Sequence, residues 1–472
     1  MTPVKSNKKL FLSLTAMAVL MVSGCSLTPS YQRPQNPVSQ EWSQHDVSFS
    51  KDKQFTMEPF FTDTKINELI KLTMAGNKEL QLSALNLKKA AAQYGVERLS
   101  ALPNVSLTAA KTAAHEPAGL YDTIDSGAVT YQQFDVKLVS ASWEIDFWGR
   151  LRSLREASLN EYLAADASSR ALRISLMEQS VITYLTCLAD HDAASISQEK
   201  LNNKLTLREM AHAAMLAGEL PVDAVIDADK EVELAKSELA QNRLQAQQDY
   251  NALQLIVGSP LPDSLFINVS LDQNWRFPAL KGGTPSDVLF RRPDIVAAEY
   301  QLKAANARIG AARAAFFPSV SITAEGGSSS AELGKLFSGG TASWNFVPSV
   351  NLPIFDGGKN RANLDIAELN KSAEIVNYQK TIQQAFRDVS DALAGQASLK
   401  QQYEQNNIVY SASMKQLQMG KETLAAGKLS KENLIIKENQ MLDIKRKILN
   451  TRLRYLVQSV KLFSVLGGDS TI

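Results

Sequence analysis

Cysteine is almost absent: Cys25 and Cys187 are the only two in 472 residues. A disulfide-stapled fold is thereby excluded. Aromatic residues make up only 7%, and the net charge is +1, so there is none of the basic excess that nucleic-acid binding requires. The four histidines, His45, His115, His191 and His212, form no metal-spaced pair with one another or with cysteine. No catalytic constellation, metal site or cofactor loop is expected. Past residue 25, no apolar stretch reaches the roughly 18 residues a membrane helix needs. Glycine and proline are both missing from Arg150 to Ala217, and proline from everything after Pro353. Runs without breakers point to long helices. Apolar residues at 44% argue against disorder.

What is present begins with a secretory signal over residues 1–24. Lys5, Lys8 and Lys9 make a basic start, and the apolar run Leu10 to Val22 is too short to span a bilayer. Val22-Ser23-Gly24-Cys25 then places small residues before a cysteine, as a bacterial lipobox does. Cys25 is expected to be acylated, to become the new N-terminus and to anchor an extended arm over 25–60 in lipid. Ser26, rather than aspartate, fits sorting to the outer membrane. Cleavage removes three positive charges and no negative ones, taking the chain from +1 to −2. Cys187 is left as a small helix-packing residue.

The chain carries its own pattern twice. Leu102-Pro103-Asn104-Val105-Ser106-Leu107 matches Phe317-Pro318-Ser319-Val320-Ser321-Ile322, and Phe147-Trp148-Gly149 matches Phe355-Asp356-Gly357. Ala217-Gly218 and Val257-Gly258 match Ala426-Gly427 and Leu466-Gly467 at a common offset. A duplicated unit follows, over 61–260 and 284–468, in the order helix, strand pair, long helical hairpin. The leading helices are expected over Ile66 to Leu99 and Pro293 to Ala315, each stopped by a following proline.

The strands alternate with period two. Val105 and Leu107 oppose Ser106 and Thr108; Phe134, Val136 and Leu138 oppose Gln133, Asp135 and Lys137; Trp344 and Phe346 oppose Asn345. Four strands cannot bury their own edges, and an open edge in lipid is prohibitive. A single-chain barrel needs at least about eight strands, so several copies must share one, and three copies give twelve strands. The polar faces would line the lumen, which makes Gln133, Asp135, Lys137 and Asn345 the inward candidates. A soluble sandwich would alternate too, but these strands are too few for one. The segments His115 to Gly127 and Gly326 to Gly340 are expected to be loops between the paired strands.

As one helix, Arg150 to Ala217 would reach roughly 100 Å. Gly218–Pro221 reverses it, and Val222 to Val257 runs back. The pattern recurs from Lys359 to Met419, with Gly395 expected as an interruption, and from Lys428 to Leu466. Val225, Val232, Leu239, Ala246 and Leu253 are seven apart, as are Leu442, Leu449, Leu456 and Phe463. That period packs helices side by side as coiled coils. A periplasmic scaffold lipoprotein could share the heptads, but it leaves the strands and the duplication unexplained.

At Arg292-Pro293-Asp294-Ile295-Val296-Ala297-Ala298-Glu299 the chain resembles the TolC-type outer-membrane efflux proteins, in the lipoprotein branch serving resistance-nodulation-division pumps. Leu352-Pro353-Ile354-Phe355-Asp356-Gly357-Gly358, Trp143-Glu144-Ile145-Asp146-Phe147-Trp148-Gly149-Arg150, and the arm residues Tyr31, Pro34, Pro37 and Trp42 extend the likeness over nearly the whole mature chain. The resemblance implies a mostly α, homotrimeric outer-membrane channel. A twelve-stranded β-barrel is continued by a long α-helical barrel with an equatorial domain. It also implies a periplasmic adaptor and an inner-membrane transporter as partners, no enzymatic activity, and passive conduction of drugs or other small molecules. Metal ions or secreted polypeptides are the alternative cargo. The reversals Gly218–Pro221 and Gly427–Ser430 would be the periplasmic tips. Family members commonly carry gate carboxylates six and nine residues past the second glycine. Here those places hold Asn433 and Ile436, with Glu432 adjacent and Asp223 and Asp227 at the first tip.

Overall fold

The computed structural model describes residues 27–39, 60–117, 128–273, 275, 277 and 291–468. Along the chain run α1 (Thr64–Gly76), α2 (Lys78–Leu99), β1 (Val105–Glu116), β2 (Val129–Ile145), α3 (Arg150–Leu216) and α4 (Val222–Val257). They are followed by α5 (Pro293–Ala314), β3 (Ser319–Ser330), β4 (Ala342–Asn351), α6 (Lys359–Ala425) and α7 (Lys431–Val465). The elements fall into two compact units. One takes the described residues of 1–35, 87–165 and 298–378; the other takes those of 36–86, 166–297 and 379–472.

The first unit is built on one antiparallel sheet in the order β1-β2-β3-β4. β1 pairs with β2 from Val105↔Ser140 to Glu116↔Val129, and β3 with β4 from Ser319↔Asn351 to Ser328↔Ala342. The two pairs join through β2 and β3, from Phe134↔Ser330 to Ile145↔Val320, with a bulge between Ser140 and Trp143. Among the described residues, β1 and β4 are the sheet's edges.

The expected loop Gly326 to Gly340 is shorter than its sequence suggests, because β3 runs on to Ser330 and only the residues after it connect to β4. Gly326 and Gly327 lie inside β3, opposite Leu138 and Lys137 of β2. At Gly327 a Cβ would fall 2.1 Å from Val136 O and 2.7 Å from Lys137 Cα, whereas at Gly326 it would meet open space. Gly327 is the residue that lets the two strand pairs approach. β1 likewise continues through His115 to Glu116, where a loop was expected.

The second unit holds the large core. Leu442, Leu449, Leu456 and Phe463 of α7 are each at most 4% exposed, so the heptad is its buried seam. Phe463 stacks on Phe60 at 4.5 Å, and Phe60 on Phe277 at 5.2 Å. Tyr184 is wholly buried, and its hydroxyl donates to Leu265 O at 2.5 Å. Cys187 sits in the same core, where burial pushes its thiol up to about 12, so it remains protonated and inert.

Two helix limits differ from expectation. The leading helix breaks at Asn77, whose extended backbone ends α1. The Asn77 side chain caps α2 by accepting from Leu80 N at 3.0 Å and donates to Ile256 O at 2.6 Å. α6 in contrast runs unbroken through Gly395 to Ala425. One glycine costs a helix only about 1 kcal/mol. Gln458 of α7 lies over the site and donates to Ala392 O at 3.1 Å.

Gly327→Ala should therefore lower stability by about 1–3 kcal/mol through overpacking at the β2–β3 seam, while Gly326→Ala should be near neutral. Thermal unfolding of the two variants in detergent checks this; equal midpoints would contradict the seam assignment.

Candidate conduction pathway

Cross-strand partners share a face of a sheet, so the register sorts the strand residues into two faces. On one face lie Gln133, Asp135 and Lys137 of β2, with Asn345 of β4 opposite Glu325 of β3. The four inward candidates are thus brought to a single face. Asp135 accepts from Gln133 Nε2 at 2.8 Å and Ser329 Oγ at 2.5 Å. Lys137 Nζ lies 3.2 Å from Asp135 and 3.7 Å from Glu325. The opposite face carries the row Leu107, Leu138, Gly326 and Trp344. Leu107 is 69% exposed and Trp344 81%. One face is polar and charged; the other offers large apolar side chains to whatever surrounds it. Glu325 escaped the sequence reading because the two glycines after it read as a loop. Continuing the alternation of Val320, Ile322 and Ala324 by one more step places it on the polar face.

The reversals of the long hairpins share one backbone lock. Gly218 N bonds Met215 O at 2.9 Å and Glu219 N bonds Ala214 O at 2.9 Å; Gly427 N bonds Leu424 O at 2.9 Å and Lys428 N bonds Thr423 O at 3.0 Å. Both glycines have positive φ, +75° and +69°. This is the left-handed C-terminal turn that only glycine adopts without strain. Past the first lock, Asp223 is exposed and Asp227 is paired with Lys230 at 2.8 Å. Past the second, Ser430 caps α7 by accepting from Asn433 N at 3.2 Å, with Glu432 in the first turn. Leu434 and Ile435 are buried, while Asn433 and Ile436, one turn apart, are exposed on the other side of α7.

Cys25 lies outside the described residues. The arm just after it is bound within the first unit. Thr28 Oγ1 meets Ser153 Oγ at 2.9 Å, and Asn306 Nδ2 donates to Pro29 O at 2.7 Å. Arg33 grips Glu299, with NH2 2.7 Å from Oε2 and 3.0 Å from Oε1. Lys303 reaches the same carboxylate at 3.1 Å. Glu299 is only 8% exposed. Burial alone would raise its pKa, but the bonds from Arg33 and Lys303 outweigh burial and hold it below the usual range. The two charged ends of the Arg292–Glu299 motif therefore have separate tasks. Glu299 receives the arm; Arg292 donates to Val465 O at 3.0 Å and to Asp294 at 2.8 Å, tying the start of α5 to the end of α7.

Exposed strands with a polar and an apolar face, joined to helices of 67 residues, define a channel-forming outer-membrane protein. A family-wide pattern described as Outer membrane efflux protein matches residues 69–259 and 284–468. The probable efflux pump outer membrane protein TtgC of Pseudomonas putida is 34% identical, over 98% of this chain and 96% of its own. The cation efflux system protein CusC of Escherichia coli is 33% identical, over 95% and 96%. In structure the chain is similar to the open-state MtrE outer membrane channel of Neisseria gonorrhoeae, with a TM-score of 0.80 and 32% identity, covering 94% of this chain and 98% of that one. The chain belongs to the outer membrane efflux protein family.

Glu299→Gln should weaken the arm's grip by about 2 kcal/mol and speed proteolytic release of the arm. The grip has a pH dependence of definite sign. A carboxyl held below its unfolded value contributes fully above about pH 4.3, and the contribution is lost as pH falls through the folded value. Arm release timed across pH 3–7 reads both effects; a flat profile in the wild type would contradict them.

Proposed function

We propose that three copies of this chain close a twelve-stranded barrel in the outer membrane and pass substrates, without chemistry, from an inner-membrane pump to the exterior. The observation that carries this is the four-stranded sheet with one charged face, one exposed apolar face and two unpaired edges. In lipid, unpaired backbone groups must find partners, and identical neighbours supply them. The charged face, with Gln133, Asp135, Lys137, Asn345 and Glu325, then lines a hydrated lumen. Two repeated units, 61–260 and 284–468, supply two strands and one long hairpin each. Cys25 carries the acyl chains, and the Arg33–Glu299 grip holds the anchored arm against the body. A periplasmic adaptor and a resistance-nodulation-division transporter complete the assembly at the helical tips.

Drugs and organic solvents are the cargo class best supported, by likeness to the efflux relatives of Pseudomonas putida. Metal ions are the second reading, favoured by the likeness to the cation efflux protein. Deletion of the gene should raise susceptibility to several unrelated compounds, and deleting the cognate pump as well should add nothing. Additive effects of the two deletions would sink the shared pathway.

The gate is assigned to Asn433 and Ile436, with Asp223, Asp227 and Glu432 as the charged surround. A polar and apolar constriction resists ions by narrowness and poor wetting rather than by a carboxylate ring. Asn433→Ala with Ile436→Ala should raise the resting conductance of the purified channel in planar bilayers several-fold. An unchanged leak would place the constriction elsewhere.

A further inference from the structure

Where the sheet meets the helices, an apolar pair has no cover among the described residues. Between β4 and α6, Ile354 is 93% exposed and Phe355 91%. Single exposed hydrophobics are ordinary, but these two stand on a fixed turn. The Asp356 carboxylate accepts from Gly358 N at 2.9 Å and Asn360 N at 2.8 Å.

A corresponding turn follows β2, and there its tryptophan is covered. Phe147-Trp148-Gly149 aligns with Phe355-Asp356-Gly357, and Phe317-Pro318 with Leu102-Pro103. After β2, the Trp148 ring stacks on Phe317 at 4.6 Å and its Nε1 donates to Pro318 O at 2.9 Å. Phe147, the counterpart of Phe355, is 41% exposed. The cover is there because β3 pairs with β2 down to Ile145↔Val320, bringing the end of α5 alongside. Among the described residues β4 has no such neighbour, and β1 has an equally open outer edge. β4 runs toward the helices where β1 leaves them. A β1 from another copy, paired on β4, would bring its Leu99–Pro103 segment beside Ile354 and Phe355. Leu99 and Leu102 are themselves 55% and 61% exposed.

We propose that Ile354 and Phe355 form a latch that seats on the Leu99–Pro103 segment of the next copy of this chain. The latch closes each seam between copies with the kind of contact Trp148 and Phe317 make inside one chain. It rests on the trimeric reading above and goes beyond it, since a barrel could close through backbone bonds alone. The latch adds burial of two large side chains per seam, at the level where the strands hand over to helices.

Two measurements test it on the full-length protein. The first is the monomer fraction in mild detergent, by light scattering, for wild type and the Ile354→Ser/Phe355→Ser double variant. The wild type is expected to be trimeric, and the double variant to raise the monomer fraction about tenfold or more. The second pairs Phe355→Cys with Leu102→Cys in a Cys187→Ala background, oxidised in the membrane. Covalent dimers and trimers are expected, and none from either single cysteine. A trimer that ignores the serine pair, or gives no cross-link, overturns the latch and leaves the trimer standing. A monodisperse wild-type monomer overturns the trimer and the latch together. Should the serine variant fail to reach the membrane, the cysteine pair decides alone.

Discussion

The constraint on which the rest depends is the backbone of two strands, β1 and β4, whose outer edges pair with no strand among the described residues. In water such edges are tolerable; in hydrocarbon each unpaired group costs several kcal/mol. A sheet that offers Leu107, Leu138 and Trp344 on one side cannot stay in water either. The two demands have one joint solution, a closed ring of sheets. In the arrangement proposed above the apolar side turns outward, which leaves Asp135, Lys137 and Glu325 toward the centre. In that arrangement conduction follows from the way the two faces point.

The helices answer a different need. A tunnel that crosses an aqueous space must have a wall that is stable with water on both sides, so it cannot rely on one thick core. Among the described residues, the long helices are buried mainly along seams: Val232 and Leu239 in α4, and Leu442, Leu449, Leu456 and Phe463 in α7. Charged contacts such as Lys204–Glu231 at 2.7 Å and Lys200–Asp443 at 2.8 Å flank those seams. They set alignment more than stability, since exposed pairs contribute little. The concentrated core, around Phe60, Tyr184 and Phe463, is where the second unit gains its rigidity.

Much of this architecture was legible in the sequence because its signals are local. Period-two alternation marked the strands, breaker-free stretches marked the long helices, and glycine followed by proline or serine marked the reversals. What escaped depends on contacts far along the chain. Gly326 and Gly327 look like a loop until β2 arrives to pair with them. Gly395 looks like a break until Gln458 of α7 covers it. Asn77 looks like helix interior until its side chain finds both Leu80 N and the distant Ile256 O. Of the pathway, the polar face was readable from alternation up to the point where the glycines hid Glu325. The hold of Arg33 on Glu299 was not readable, because no period links residues that far apart.

The two reversals share one backbone lock, at Gly218 and Gly427, yet carry different side chains just beyond it. With the two reversals as the tips proposed above, a three-fold assembly would repeat its shape six times around the rim but its charge only three times. A partner that gripped the shape alone would find two equivalent ways to sit, one sixth of a turn apart. Under the tip assignment proposed above, Asp223 and Asp227 on alternate knuckles, against Glu432 and Asn433 on the others, would leave such a partner one rotational setting.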